Sequence, residues 1–87
     1  MTPFPLSAAP DAAESTLAAL EPGASASVIA VDVPGEVGER LMEMGMTRGT
    51  RVTVVRRGFL GDPLQVNLRG YMLTLRKAQA RLIRVRR

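Results

Sequence analysis

Apolar and polar positions alternate most cleanly in the second half of the chain. Leu64, Val66 and Leu68 fall on one side of a period-two segment and Gln65, Asn67 and Arg69 on the other, as a half-buried strand requires. Beyond Gly70 the pattern resumes with Tyr71, Leu73 and Leu75. Residues 64–69 and 71–76 therefore read as a tight hairpin, with Tyr71 turned inward. Residues 82–86 close the set, Ile83 and Val85 facing in and Arg84 and Arg86 facing out. Upstream, 50–57 alternates with Val52 and Val54 inward, and 25–31 is rich in β-branched residues towards its end. Leu60-Gly61-Asp62-Pro63 marks a turn between two of these strands.

One segment switches to the helical period. Over 36–44, Val37, Leu41 and Met44 recur at i, i+4 and i+7 and share a face. Glu36, Glu39 and Glu43 lie on another side, with Glu36 in the first turn, where the helix dipole favours an anion. Gly45 follows as a left-handed stop. Gly38, inside the helix, costs about 1 kcal/mol relative to Ala, and a close backbone approach by a neighbouring strand would account for it. Residues 77–80 have room for a single helical turn. Residues 1–15 are Ala, Pro and Ser with two acids and no period, a composition that cannot offset its ordering entropy. The expected organisation is an N-terminal tail over 1–15 and one domain over 16–87. Its fold class is mainly all-β: a small SH3-like, five-stranded, partly open barrel with one short α-helix inserted after the first strand.

Composition narrows the chemistry. The chain has 87 residues, no Cys and no His, so thiolate and imidazole metal sites, disulfides and the usual near-neutral acid–base are all missing. No Ser stands in a nucleophile elbow and no Gly-rich loop ends in Lys-Ser/Thr. The expectation is a non-catalytic protein without a cofactor. Glu36, Glu39 and Glu43, with Asp32 upstream, offer at most a weak, exposed cation site on one short helix. A basic n-region and an apolar span are both lacking, which places the chain in the cytoplasm by default.

Charge divides by halves. Residues 1–47 carry one Arg against seven acids, and residues 48–87 carry eleven Lys and Arg against Asp62 alone. Such asymmetry implies a two-faced surface that orients a charged partner. The ten arginines from Arg48 to Arg87 open the alternative of a nucleic-acid-binding barrel. Stacking aromatics are scarce, however, with only Phe59 and Tyr71 outside the tail. A protein–protein module is the stronger reading. Met42 and Phe59 are its expected exposed anchors, whereas Met44 reads more readily as core. Self-association is a third possibility.

Across 17–87 a series of short motifs resembles the FeoA family of bacterial ferrous iron uptake. They are Leu17-x-x-Leu20-x-Pro22-Gly23, Arg40-Leu41-Met42-Glu43-Met44-Gly45-Met46 and Gly49-Thr50-Arg51-Val52, then Leu60-Gly61-Asp62-Pro63, Arg69-Gly70-Tyr71, Leu73 to Lys77 and Ala80 to Val85. The resemblance implies an SH3-like barrel. It also implies a role supporting FeoB, a membrane iron transporter with a cytosolic GTPase domain. The helix is the implied contact surface, carried here to Arg40, Leu41, Met42 and Met44. Two loop positions depart from the pattern: Arg48 stands where Pro is usual, and Gly58-Phe59 replaces Ala-Pro. A similar domain ends metal-responsive repressors.

Overall fold

The computed structural model describes residues 14–87. Its strands are β1 (Glu14–Thr16), β2 (Ser25–Val31), β3 (Arg51–Arg57), β4 (Leu64–Leu68), β5 (Tyr71–Leu75) and β6 (Ile83–Arg86). All pair antiparallel in one open sheet of order β1-β6-β2-β3-β4-β5. Helix α1 (Gly35–Glu43) connects β2 to β3, and the short α2 (Lys77–Ala80) connects β5 to β6. The architecture is the mainly β, SH3-like one expected from the sequence, with six strands instead of five. The additional strand is Glu14–Thr16, paired with β6 through Glu14↔Arg86 and Ser15↔Val85. Its partner lies at the far end of the chain, so no local pattern marks it. The rest of the tail expected over 1–15 lies outside the described residues.

Alternation decides which side of each strand is covered. Val52 and Val54 of β3, Leu64, Val66 and Leu68 of β4, and Ile83 and Val85 of β6 are all fully buried. Two irregularities bend the sheet around them. The β2–β6 register shifts between Val28 and Ala30, and the β3–β4 register between Val54 and Arg56. Each leaves an extra residue unpaired and adds local twist; in β3 that residue is Val55, and Arg56, which strict alternation would turn inward, is exposed instead. Leu17 and Leu20, flanking a 3₁₀ turn at Leu17–Ala19, complete the interior. Among the described residues no polar side chain is fully buried.

The 3₁₀ turn is held from β3. Arg57 donates from Nη1 to the Leu20 carbonyl and from Nη2 to the Ala18 carbonyl, both at 2.8 Å, while its Nε has no partner. Arg57 is thus a structural clamp and not one of the free phosphate-directed cations. Arg57→Ala orphans two carbonyls at a turn that carries two core leucines. A loss of about 2 kcal/mol is expected, the scale of charge-assisted hydrogen bonds. Urea unfolding checks it, and Arg57→Lys, which cannot fork, should recover less than half.

Candidate functional site

Helix α1 leaves the sheet after β2 and comes back to it at its C-terminus. Gly45, at φ +107°, ends it: the Gly45 N–H donates to the Met42 carbonyl and the Met46 N–H to the Leu41 carbonyl. This is the Schellman pattern, and its customary apolar contact is supplied by Leu41 and Met46, both buried. Gly38 answers to its own neighbour. A β-carbon there would stand 2.9 Å from the Val33 carbonyl carbon and closer still to its oxygen. A close approach does account for Gly38, but it comes from the loop entering the helix and not from a neighbouring strand.

The buried strip of α1 is therefore narrow, made of Gly38 and Leu41. Val37 and Met44 lie about 20° apart on one flank at ~100° per residue. They are 43% and 37% exposed, so neither is core, contrary to the i, i+4, i+7 reading. Leu41 is 3% exposed and belongs to the interior, so of the residues implied as contacts it presents no surface. Arg40 and Met42 are exposed, Met42 at 45%. Tyr71 also departs from expectation. It stands 41% exposed at the start of edge strand β5, and its hydroxyl donates to the Met44 carbonyl. An apolar surface of Val37, Met44 and Tyr71 results, with Met42 on the opposite flank of the helix. The sequence clue to Tyr71 was its place directly after a two-residue turn. There Arg69 (φ 52°) and Gly70 (φ 89°) join the Leu68↔Tyr71 pair in the manner of a type I′ hairpin.

Phe59 is 86% exposed beside Leu60 at 79%, in the loop between β3 and β4. That loop caps the Arg57↔Leu64 end of the ladder, whereas the helix exit meets the Leu68↔Tyr71 end. The length of β4, roughly 13 Å at ~3.3 Å per residue, lies between them. Phe59 and the helix residues are thus two separate places on the molecule. The two aromatics open to base stacking are separated in the same way.

Part of the charge asymmetry cancels in the fold. Strand β6 lies between β1 and β2, so its arginines meet acids of the first half: Arg86 with Glu14, Arg84 with Asp32 at 3.1 Å, and Arg87 with Glu21 at 3.0 Å. The hydrogen bond from Arg87 holds the Glu21 carboxyl below its ordinary value, aided by a backbone hydrogen bond and the guanidinium charge. Arg76 pairs with Asp62 at 3.2 Å. Such exposed pairs contribute little to stability, being screened by solvent and salt. Glu36, Glu39 and Glu43 remain exposed on α1, and among the described residues no three acidic side chains converge as a metal would need.

These features define a class: a small, mainly β, SH3-like domain whose buried side chains, among the described residues, are all apolar. The chain belongs to the FeoA family, since the FeoA domain model matches residues 15–87. Among solved structures it is similar to the FeoA protein from Chlorobium tepidum, with 39% identity and a TM-score of 0.78 over 82% of this chain and 68% of that one. It is also similar to iron(II) transport protein A from Clostridium thermocellum (37% identity, TM-score 0.75), covering 82% of this chain and 44% of that one. A third is Stenotrophomonas maltophilia FeoA complexed with zinc, at 32% identity and TM-score 0.71, covering 80% and 87%. That protein is described as an SH3 domain protein and put forward as a bacterial ferrous iron transport activating factor. No curated protein matches the chain.

Proposed function

We propose that this protein is an accessory of bacterial ferrous iron uptake that acts by contact with the cytosolic GTPase part of a FeoB-like membrane transporter. Membership of the FeoA family and the iron-transport description of its relatives support the pathway. The observation that carries the mode of action is the exposed apolar surface along α1 and at its exit. Val37, Met44 and Tyr71 lie open on one flank and Met42 on the other, and methionines suit an irregular protein surface. Among the described residues no helix is long and apolar enough to cross a membrane. The interior is packed with aliphatic side chains, which leaves surface contact as the means of action.

The test is a binding titration of the full chain against the cytosolic part of the cognate transporter. Met42→Asp should weaken binding about tenfold or more, the scale of losing one apolar anchor, while the circular dichroism spectrum and melting temperature stay at the parent values. A folded Met42→Asp that binds like the parent would place the contact elsewhere.

A further inference from the structure

The outward face of the paired strands β3 and β4, with the turn before β3, lines an open cleft of about 600 Å³. Three guanidiniums line it, those of Arg48, Arg51 and Arg69, together with the Thr47 and Thr50 hydroxyls and the Asn67 amide. Its lining contains no acidic side chain. Among the described residues none of the three arginines is in an ion pair, whereas Arg76, Arg84, Arg86 and Arg87 each have a carboxylate. The register sharpens the contrast. Val52 pairs with Leu68 and Thr53 with Asn67, so one step further Arg51 is set beside Arg69, and like charges placed opposite each other repel. Arg51 meets only the Ser27 hydroxyl, at 3.3 Å. Arg69 passes close against the helix stop: a β-carbon on Gly45 would lie 2.8 Å from its Cδ and Nε.

We infer that this cleft is the docking site for an acidic polypeptide segment, one that offers carboxylates to Arg48, Arg51 and Arg69 and apolar side chains to the adjoining helix exit. The charge complement requires an anion, because forked guanidiniums bind carboxylate or phosphate oxygens with two parallel hydrogen bonds. The surroundings choose between these. No aromatic ring lines the cleft itself and Tyr71 alone adjoins it, so a nucleic acid would find phosphate contacts with no run of rings for successive bases to stack on. Instead, Arg69 lies over Gly45, next to Met44 and the Tyr71 hydroxyl bonded to it. The cationic cleft thus runs directly into the apolar surface. A ligand with acidic and apolar groups on one short strand is a peptide. The inference rests on the contact reading above and adds to it the chemistry of the partner's segment.

The probe is an extended peptide of alternating Glu and Leu, about six residues long and so ~20 Å at ~3.3 Å per residue. It is titrated into the isotope-labelled full chain while backbone amide resonances are followed. Saturable shifts are expected at Gly49, Thr50, Asn67 and Gly70, weakening as salt is raised. The Gln–Leu counterpart should produce none. Arg51→Gln should weaken the Glu–Leu peptide about tenfold, as for one charge-assisted contact, with the fold checked by its unchanged dispersion. Shifts confined to other regions, or an Arg51→Gln protein that binds like the parent, overturn the inference. It is equally overturned if a single-stranded oligonucleotide or pyrophosphate of matched charge displaces the peptide, since the cleft is then a phosphate site. The contact reading fails separately. It falls if the transporter's cytosolic part does not bind the parent chain at all, whereas an inert cleft leaves the Met42→Asp effect in place.

Discussion

Leu41→Asp is expected to unfold the domain. Leu41 is 3% exposed in an interior with no fully buried polar side chain among the described residues, so a carboxylate there has neither partner nor water. An unpaired buried charge is costly enough that the group would protonate or drag the structure open to reach solvent. The substitution also removes the apolar contact with Met46 that accompanies the helix stop. Together these amount to about 4 kcal/mol or more, a large share of the ~5–15 kcal/mol that holds a typical domain together. A thermal melt followed by circular dichroism should show a loss of cooperativity or a midpoint lowered by well over 15 °C, at about 4–8 °C per kcal/mol. A cooperative melt within a few degrees of the parent would mean that Leu41 is not core. The consequence for function is practical: lost transporter binding by this variant would report unfolding, and Met42→Asp is the informative change.

Gly38→Ala should destabilise the protein, against the ordinary preference. In an exposed helix interior Ala is better than Gly by about 1 kcal/mol. Here the added methyl would overlap the backbone carbonyl of Val33, 2.9 Å from its carbon and nearer to its oxygen. Backbone cannot swing aside as the end of a long side chain can, so either α1 must move off the loop or the loop must lose its path into the helix. A net cost of roughly 2–4 kcal/mol is expected, at or above the upper end of overpacking penalties. Urea denaturation of the two proteins measures it. Glu39→Ala, on the exposed side of the same helix, is the control and should be neutral or slightly stabilising. If Gly38→Ala were as stable as Glu39→Ala, the close approach of Val33 would be refuted.

The two substitutions also mark how far the sequence could be read. That 36–44 is helical and that Gly45 stops it were legible, because each depends on residues within a turn of one another, whereas the neighbour that Gly38 makes room for was not. Which side of the helix is covered was not. Val37, Leu41 and Met44 share a spacing, but the spacing says only that they lie near one line, and the element that covers the line is supplied by the fold. Leu41 came out buried, while Val37 and Met44 came out as open flanks. The same limit applies at Tyr71. Its alternation with Leu73 and Leu75 holds, yet it begins an edge strand and its hydroxyl reaches the carbonyl at the helix exit. Arg56 was turned outward by a shift in register, which no period can show.

Charge follows the same rule at longer range. Counted along the chain, the acidic and basic halves imply two opposed faces. The sheet order inserts β6 between β1 and β2 and so consumes three arginines against three acids. Of the cations without a carboxylate partner among the described residues, Arg48, Arg51 and Arg69 gather around one cleft, brought together from a turn, a strand and a hairpin.

By itself the sequence determined the strands of the hairpin, the helix and its stop, the aliphatic interior, the lack of thiol and imidazole chemistry, and the ordered motifs of the FeoA family. Those properties are local or additive, set by a residue's own backbone preferences and its near neighbours. The sixth strand, the separation of Phe59 from the helix exit and the gathering of Arg48, Arg51 and Arg69 at one cleft were decided only by the tertiary structure. Each is a relation between residues far apart in the chain, and such relations come into being only when the sheet closes upon its core.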